Sequence, residues 1–220
     1  MPNQRQTVII LGATGLVGSQ LLSLALSDQR IASVCAPTRR PLRTHLKLSN
    51  PVIDYDKLPD ADWWQADAIL CALGTTIKQA GNKTAFRTVD HDYVLAAAKR
   101  SKAAGCRIFV LNSSLGADAS SGNLYLKVKG EIEQALAKLG FESLTFIRPS
   151  LLDGGPRPER RYGEEIGLWF GTRLNALIPK RYRPISTQAV AKAMLDAALR
   201  PKQGVHIIES EDLHHSIGKS

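Results

Sequence analysis

Long uncharged apolar runs are missing from this chain of 220 residues. Nowhere do about 18 such residues follow one another, which argues against a membrane-spanning helix. The first six residues are polar, and the apolar run at 8–11 stops at a glycine, well short of the roughly 7 to 15 residues of a secretory core, so no export signal is visible. Cysteine is scarce: Cys35, Cys71 and Cys106, an odd number without Cys-x-x-Cys spacing, exclude a disulfide framework and a zinc knuckle. Three thiols in or beside apolar runs read as small buried residues in a reducing compartment, and the expectation is a cytoplasmic protein. Acids are outnumbered, 20 Asp and Glu against 29 Lys and Arg, for a net charge of +9. Yet aromatics make up only 6% and the basic residues are scattered, so neither a stacking platform nor a clustered patch for nucleic acid is present. The charge suits a solvated surface or an anionic small ligand.

What is present is a steady alternation of short apolar runs with segments of helical period, the mark of βαβ units and a parallel sheet. Strands are predicted at 7–11, 33–36, 52–55, 68–72, 107–111, 144–148 and 205–208, and helices at 16–26, 91–104, 124–139 and 189–199. Gly105 and Gly140 supply helix-terminating glycines. Residues 37–51, bounded by prolines, show little periodicity and predict an irregular crossover; the Ser/Gly/Asp/Asn-rich stretch 112–123 predicts a loop. From 149 the alternation breaks, with prolines and glycines followed by an apolar stretch at 166–178 that holds Trp169 and Phe170. The expected architecture is one α/β domain over 1–220, a doubly wound parallel sheet of Rossmann type, with a small C-terminal cap and substrate segment at 149–186.

Gly12-Ala-Thr14-Gly15-Leu16-Val17-Gly18 lies between the first strand and the first helix, where a dinucleotide-binding turn belongs. Gly12 permits the tight turn, Gly15 lets backbone approach a pyrophosphate, and Gly18 allows the helix close to the sheet; the helix N-terminus then meets the anion with unpaired N–H groups. The Gly-x-x-Gly-x-x-Gly spacing resembles the extended and atypical branches of the short-chain dehydrogenase/reductase superfamily. Tyr125-Leu-Lys-Val-Lys129 matches that superfamily's Tyr-x-x-x-Lys pair, and Ser113-Ser114 ends the fifth strand. The strings at 73–81, 113–118 and 125–133 are similar to the Tat-interacting-protein-like atypical reductases.

Tyr125 and Lys129 are i and i+4 on one helix, so they share a face. An ammonium beside a phenol favours phenolate, which suits a general acid/base. The resemblance implies the roles: Tyr125 protonates a carbonyl oxygen, Lys129 holds the nicotinamide ribose and lowers the Tyr125 pKa, and a serine orients the carbonyl. Position in the serine pair points to Ser114; the spacing of twelve to Tyr125 points to Ser113. Both stay candidates. Val89-Asp90 stands where many superfamily members have Val-Asn, which puts a proton relay through that helix in doubt.

Arg39 and Arg40 follow the second strand, where NAD enzymes carry an acid for the ribose 2′-hydroxyl; no acid is here, and a guanidinium forks onto a 2′-phosphate, so NADP(H) is the expected cofactor. Asp54 and Tyr55 are candidate adenine neighbours, Leu73, Gly74 and Thr75 candidate borders of the ribose and pyrophosphate, and Pro149 and Leu151, after the superfamily-like Arg148-Pro149, candidates for the nicotinamide pocket. No metal site is expected: His214-His215 has no third ligand at a recognisable spacing. The functional expectation is a reductase of a small-molecule carbonyl substrate. Its alternative is a dinucleotide-binding redox sensor resembling the NmrA type, which acts through a protein partner without turnover. A homodimer also stays open, with Trp169 and Phe170 candidates for either the pocket or a subunit contact.

Overall fold

A computed structural model describes residues 5–153 and 179–215. Its centre is a seven-stranded sheet in the order β3-β2-β1-β4-β5-β6-β9, every pairing parallel. The strands are β1 (Gln6–Leu11), β2 (Ile31–Cys35), β3 (Leu48–Ser49), β4 (Ala68–Cys71), β5 (Ile108–Asn112), β6 (Ser143–Arg148) and β9 (Gly204–Glu209). A separate parallel pair joins β7 (Leu152–Asp153) to β8 (Ile185–Ser186).

The near-continuous apolar runs follow from burial on both faces. In β1, Val8 and Ile10 face one layer while Ile9 and Leu11 face the other; β4 divides Ala68 and Leu70 from Ile69 and Cys71 in the same way, and β5 divides Ile108 and Val110 from Phe109 and Leu111. Helices α1 (Leu16–Ser27) and α6 (Thr187–Leu199) cover the first face with Leu21, Ala25, Val190 and Met194. The second face is covered by α4 (Tyr93–Ala103) and α5 (Leu124–Ala137) with Val94, Ala97, Ala98, Ile132 and Leu136. The last helix, α7, is Ser210–His215.

Several expectations change. The third strand is not at 52–55: Val52 makes only an isolated bridge to Thr38, and the chain pairs earlier, at Leu48–Ser49. Val52 is exposed, so its apolar character marks no buried strand. Two short helices that periodicity missed, α2 (Ile77–Ala80) and α3 (Lys83–Arg87), precede a π-helical turn at Thr88–Asp92 that runs into α4. Of the crossover expected to be irregular over 37–51, residues 39–47 are so, but β3 at Leu48–Ser49 lies within it. Of the expected cap, residues 154–178, including Trp169 and Phe170, lie outside the described residues, as do the side chains of His214 and His215.

Candidate functional site

The order of the sheet reverses direction between β1 and β4, and at such a point the loops leaving neighbouring strands part to open a crevice. A cleft of about 450 Å³ opens there. It is lined from β1 and α1 by Thr14, Gly15, Leu16 and Val17, from the β4 loop by Leu73, Gly74 and Thr75, from β5 by Asn112, Ser113 and Ser114, and from β6 by Pro149. Tyr125 and Lys129 of α5 complete the wall, with Asp90 beside them.

The glycine turn is built for close approach. Gly12 has φ +78, and a Cβ on it would lie 2.6 Å from the backbone of Ala72. A Cβ on Gly18 would sit 1.9 Å from the Gly12 carbonyl oxygen, so the first turn of α1 packs directly on the loop. Gly15 differs: its N–H donates to Gly12 O at 2.9 Å, and that same oxygen, at 3.3 Å, is the sole close neighbour of an added Cβ. No side chain caps the N-terminus of α1 and no acid stands in its first turn. Its N–H groups and the positive end of the helix dipole therefore face the cleft, an arrangement that fits a pyrophosphate.

Lys129 and Asp90 form a buried charge pair at the site. The Lys129 ammonium lies 2.9 Å from Asp90 Oδ1, with side-chain exposures of 5% and 1%, and 6.0 Å from the centre of the Tyr125 ring. Burial opposes the ammonium, but Asp90 and Tyr125 more than offset it, and the Lys129 pKa is held above its ordinary value. Asp90 Oδ2 accepts the Thr75 N–H at 2.8 Å, tying the β4 loop to the helix that carries the π-turn. The position that departs from the superfamily pattern is thus the counter-ion of Lys129. The Tyr125 ring also packs on Phe86, centroids 5.9 Å apart.

The two serines part company. Ser113 is buried and donates to Glu133 Oε1 at 2.5 Å; Ser114 is half-buried, its hydroxyl making, among the described residues, a long 3.4 Å contact to Leu115 O. Glu133, one turn beyond Lys129, was not singled out in the sequence, although its i+4 spacing places it on the same face. Asn112, Thr76, Gln79, Ser150 and Leu152 also line the cleft and had carried no signal as site residues. Thr76 caps α2 by accepting the Gln79 N–H, and that Thr-x-x-Gln pattern was readable as a helix start.

Other expected residues stand apart from the cleft wall. Arg39 and Arg40 are exposed beyond β2, on a turn braced by Thr38 Oγ1, which donates to Arg40 O at 2.6 Å. Tyr55 is buried with its hydroxyl on Pro37 O at 3.0 Å, and burial pushes its pKa up; Asp54 beside it is exposed. Leu151 is exposed and Leu152 lines the cleft in its stead. Cys71, under the β4 loop, has its thiol pushed up to about 12 by burial, which leaves it inert as a nucleophile. Among the described residues no group of His, Cys, Asp and Glu is placed to hold a metal ion, and no helix is long and apolar enough to cross a membrane.

Comparison with known proteins agrees with this geometry. A family model described as NAD(P)H-binding matches residues 12–201. The chain belongs to this family. It is 36% identical to protein HTATIP2 of Rattus norvegicus over 98% of this chain and 90% of that one. It is 34% identical to the mitochondrial protein FMP52 of Candida albicans, covering 94% and 96%. Among solved structures, MoeE5 in complex with UDP-glucose and NAD shares the fold at TM-score 0.67 and 16% identity, over 92% of this chain and 75% of that chain. A short chain dehydrogenase family protein from Francisella tularensis does so at 0.65 and 14%, over 96% and 99%. The Rossmann-type sheet and the likeness to atypical short-chain dehydrogenases are thereby established.

The compartment is corrected. FMP52 relatives from Candida albicans, Candida glabrata and Debaryomyces hansenii are named mitochondrial, which points away from the cytoplasm. Buried free thiols need only a reducing surrounding, so they never separated the two compartments.

The turn makes a first prediction. Gly15→Val puts a branched side chain where the phosphates of a dinucleotide would pass, at a position whose φ of −80 suits any residue. NAD(P)H binding should vanish in a fluorescence titration while the far-ultraviolet dichroism is retained; undiminished binding would put the phosphates elsewhere.

Proposed function

We propose that this NAD(P)H-binding protein is an NADP(H)-dependent reductase of a small carbonyl compound. The observation that carries the reading is the convergence of Ser114, Tyr125 and Lys129 on the one cleft that also holds the uncapped end of α1. Bound nicotinamide supplies the hydride. Tyr125 gives its phenolic proton to the carbonyl oxygen as charge develops there, and Ser114 donates a hydrogen bond to the same oxygen. Ser114 takes this role over Ser113 because the Ser113 hydroxyl is already committed to Glu133. Lys129, held charged by Asp90, reaches the ribose and adds positive potential next to Tyr125. Leu73, Gly74 and Thr75 border the ribose, and Asp54 and Tyr55 flank the adenine.

Choice of cofactor rests on Arg39 and Arg40, exposed past β2 where an acid would favour NAD. Arg39→Ala should remove a charge-assisted hydrogen bond to the 2′-phosphate and weaken NADPH by about 10 to 150-fold, from roughly 1.5 to 3 kcal/mol. NADH should be nearly unaffected, and calorimetry with both cofactors decides. Equal losses would sink the assignment. The reductase reading itself is tested by following NADPH absorbance against a panel of aldehydes, ketones and quinones. Binding of NADPH with no turnover of any panel member would favour a non-catalytic redox sensor.

A further inference from the structure

Beside the cleft runs a chain of alternating charge, buried at Glu133 and half-buried at Arg148 and Glu209, that the reaction just described leaves unused. Glu133 receives the Ser113 hydroxyl on Oε1 and is forked by Arg148, whose Nε lies 3.1 Å from Oε1 and whose Nη2 lies 2.5 Å from Oε2. The third nitrogen of Arg148, Nη1, reaches Glu209 Oε1 at 3.2 Å. The side chain of Glu133 is 6% exposed and that of Arg148 18%. Pairing with Glu133 raises the Arg148 pKa above its already high ordinary value, so the guanidinium stays charged.

The chain joins four elements: β5 through Ser113, α5 through Glu133, β6 through Arg148 and β9 through Glu209. Its place on α5 matters most. Tyr125, Lys129 and Glu133 follow at intervals of four, each about 40° round from the last, so the residue that grips the end of β5 sits beside the two that line the cleft without lining it itself. Backbone bonds hold the β5 exit on its other side, Ser113 N–H to Ile147 O at 2.7 Å and Leu115 N–H to Pro149 O at 2.9 Å. Ser114 sits between these two anchored residues, and Ser113 is the one that α5 also grips by its side chain.

We infer that Glu133 is a positioning residue: by taking the Ser113 hydroxyl while locked by Arg148, it sets the register between the β5 exit and α5, and so fixes Ser114 relative to Tyr125. This rests on the reductase reading for its catalytic consequence, but not for its structural one. A carboxylate suits the task better than an amide, because both oxygens accept and the guanidinium fork fixes their plane. It also gives the pair of serines separate tasks. Both border the cleft, but the Ser113 hydroxyl is held by Glu133.

Two variants test the inference: Glu133→Gln, which replaces one of the oxygens that the Arg148 fork locks with an amide NH2, and the milder Ser113→Ala, which deletes the hydroxyl that Glu133 takes without removing a buried charge. Each should speed amide exchange at Leu115 at least several-fold while the core strand β1 stays protected. Each should lower kcat about tenfold with the NADPH dissociation constant unchanged, since a misplacement of even an ångström is costly to a reacting geometry. Neither should lower kcat further in a Ser114→Ala background, because residues acting as one unit are not additive. Unchanged exchange at Leu115 in both variants would overturn the inference whatever the catalytic outcome. Losses that multiply in the Ser114→Ala background would overturn it too, by showing that Glu133 acts independently of Ser114. Full activity of Tyr125→Phe would instead remove the reductase reading, and the exchange result would still decide what Glu133 holds.

Discussion

Tyr125→Phe is expected to lower turnover by about 10² to 10⁴-fold and to leave NADPH affinity little changed. The substitution deletes one hydroxyl and keeps the ring, so the contact with Phe86 and the place of the ring beside Lys129 survive. On the proposed reading, dinucleotide affinity would depend instead on the glycine turn, the end of α1 and the arginines beyond β2. A loss confined to kcat is therefore the signature of a proton donor. Single-turnover measurements with a confirmed carbonyl substrate would separate the chemical step from release of product. Turnover equal to the parent's would make Tyr125 a bystander and end the catalytic reading of this helix.

Lys129→Met should produce the largest loss of stability among single changes at the site. Asp90 is 1% exposed, and removal of its ammonium leaves a buried carboxylate without its counter-ion. Breaking one side of such a pair costs about 3 to 5 kcal/mol, whereas removing both charges together is often close to neutral. Urea unfolding should show this loss for Lys129→Met and recovery of most of it in the double variant with Asp90→Asn. NADPH binding should fall in both, which separates the structural part of Lys129 from its proposed contact with the ribose. The pH dependence follows from the direction of the shift. Because the folded-state pKa lies above the ordinary lysine value of 10.5, the contribution is complete below that value and fades as pH climbs through the higher folded one. Between pH 6 and 9, as a range of ordinary buffers, the deficit of Lys129→Met should thus be flat. A single variant as stable as the parent would mean that Asp90 finds another partner.

The parts of the fold that were readable from residue order are those buried on two faces. A run such as Val8–Leu11 can only be a central strand, because alternate side chains meet different helical layers and all must be apolar. Edge structure obeys a weaker rule. Leu48 and Ser49 pair with β2 over two residues, too few for any pattern, while the more strand-like residues 52–55 bridge the sheet only at Val52. Helix α2 buries none of its residues and α3 buries only Phe86, so neither carries a periodic signal; their caps, Thr76 and Asn82, were the readable part. The glycine turn and the Tyr/Lys pair were visible because each needs particular residues at a fixed local spacing. The partners of Lys129 and Ser113 were not, since Asp90 and Glu133 approach them from elements whose packing no local pattern specifies. For the same reason the proposed choice of Ser114 over Ser113 rests on the position of Glu133.

The wide turn at Thr88–Asp92 has a cost and a use. In a regular α-helix, steps of four residues overshoot a full turn by about 40°, so three residues spaced by four drift off a common face. Phe86, Asp90 and Val94 have that spacing and all three are buried, the first against Tyr125, the second on Lys129, the third in the core under α4. Opening the coil by one residue corrects the phase between the outer two and lets the middle one reach its ammonium. The helix therefore holds one residue more than its own hydrogen bonding would choose. Deleting it would make a straighter and locally tidier helix that misses one of its three appointments, so the irregularity here is a required length rather than a defect of folding. A descendant of this chain that had abandoned the Asp90–Lys129 pair would be free to shed that residue, and the spacing between Phe86 and Val94 would record the event.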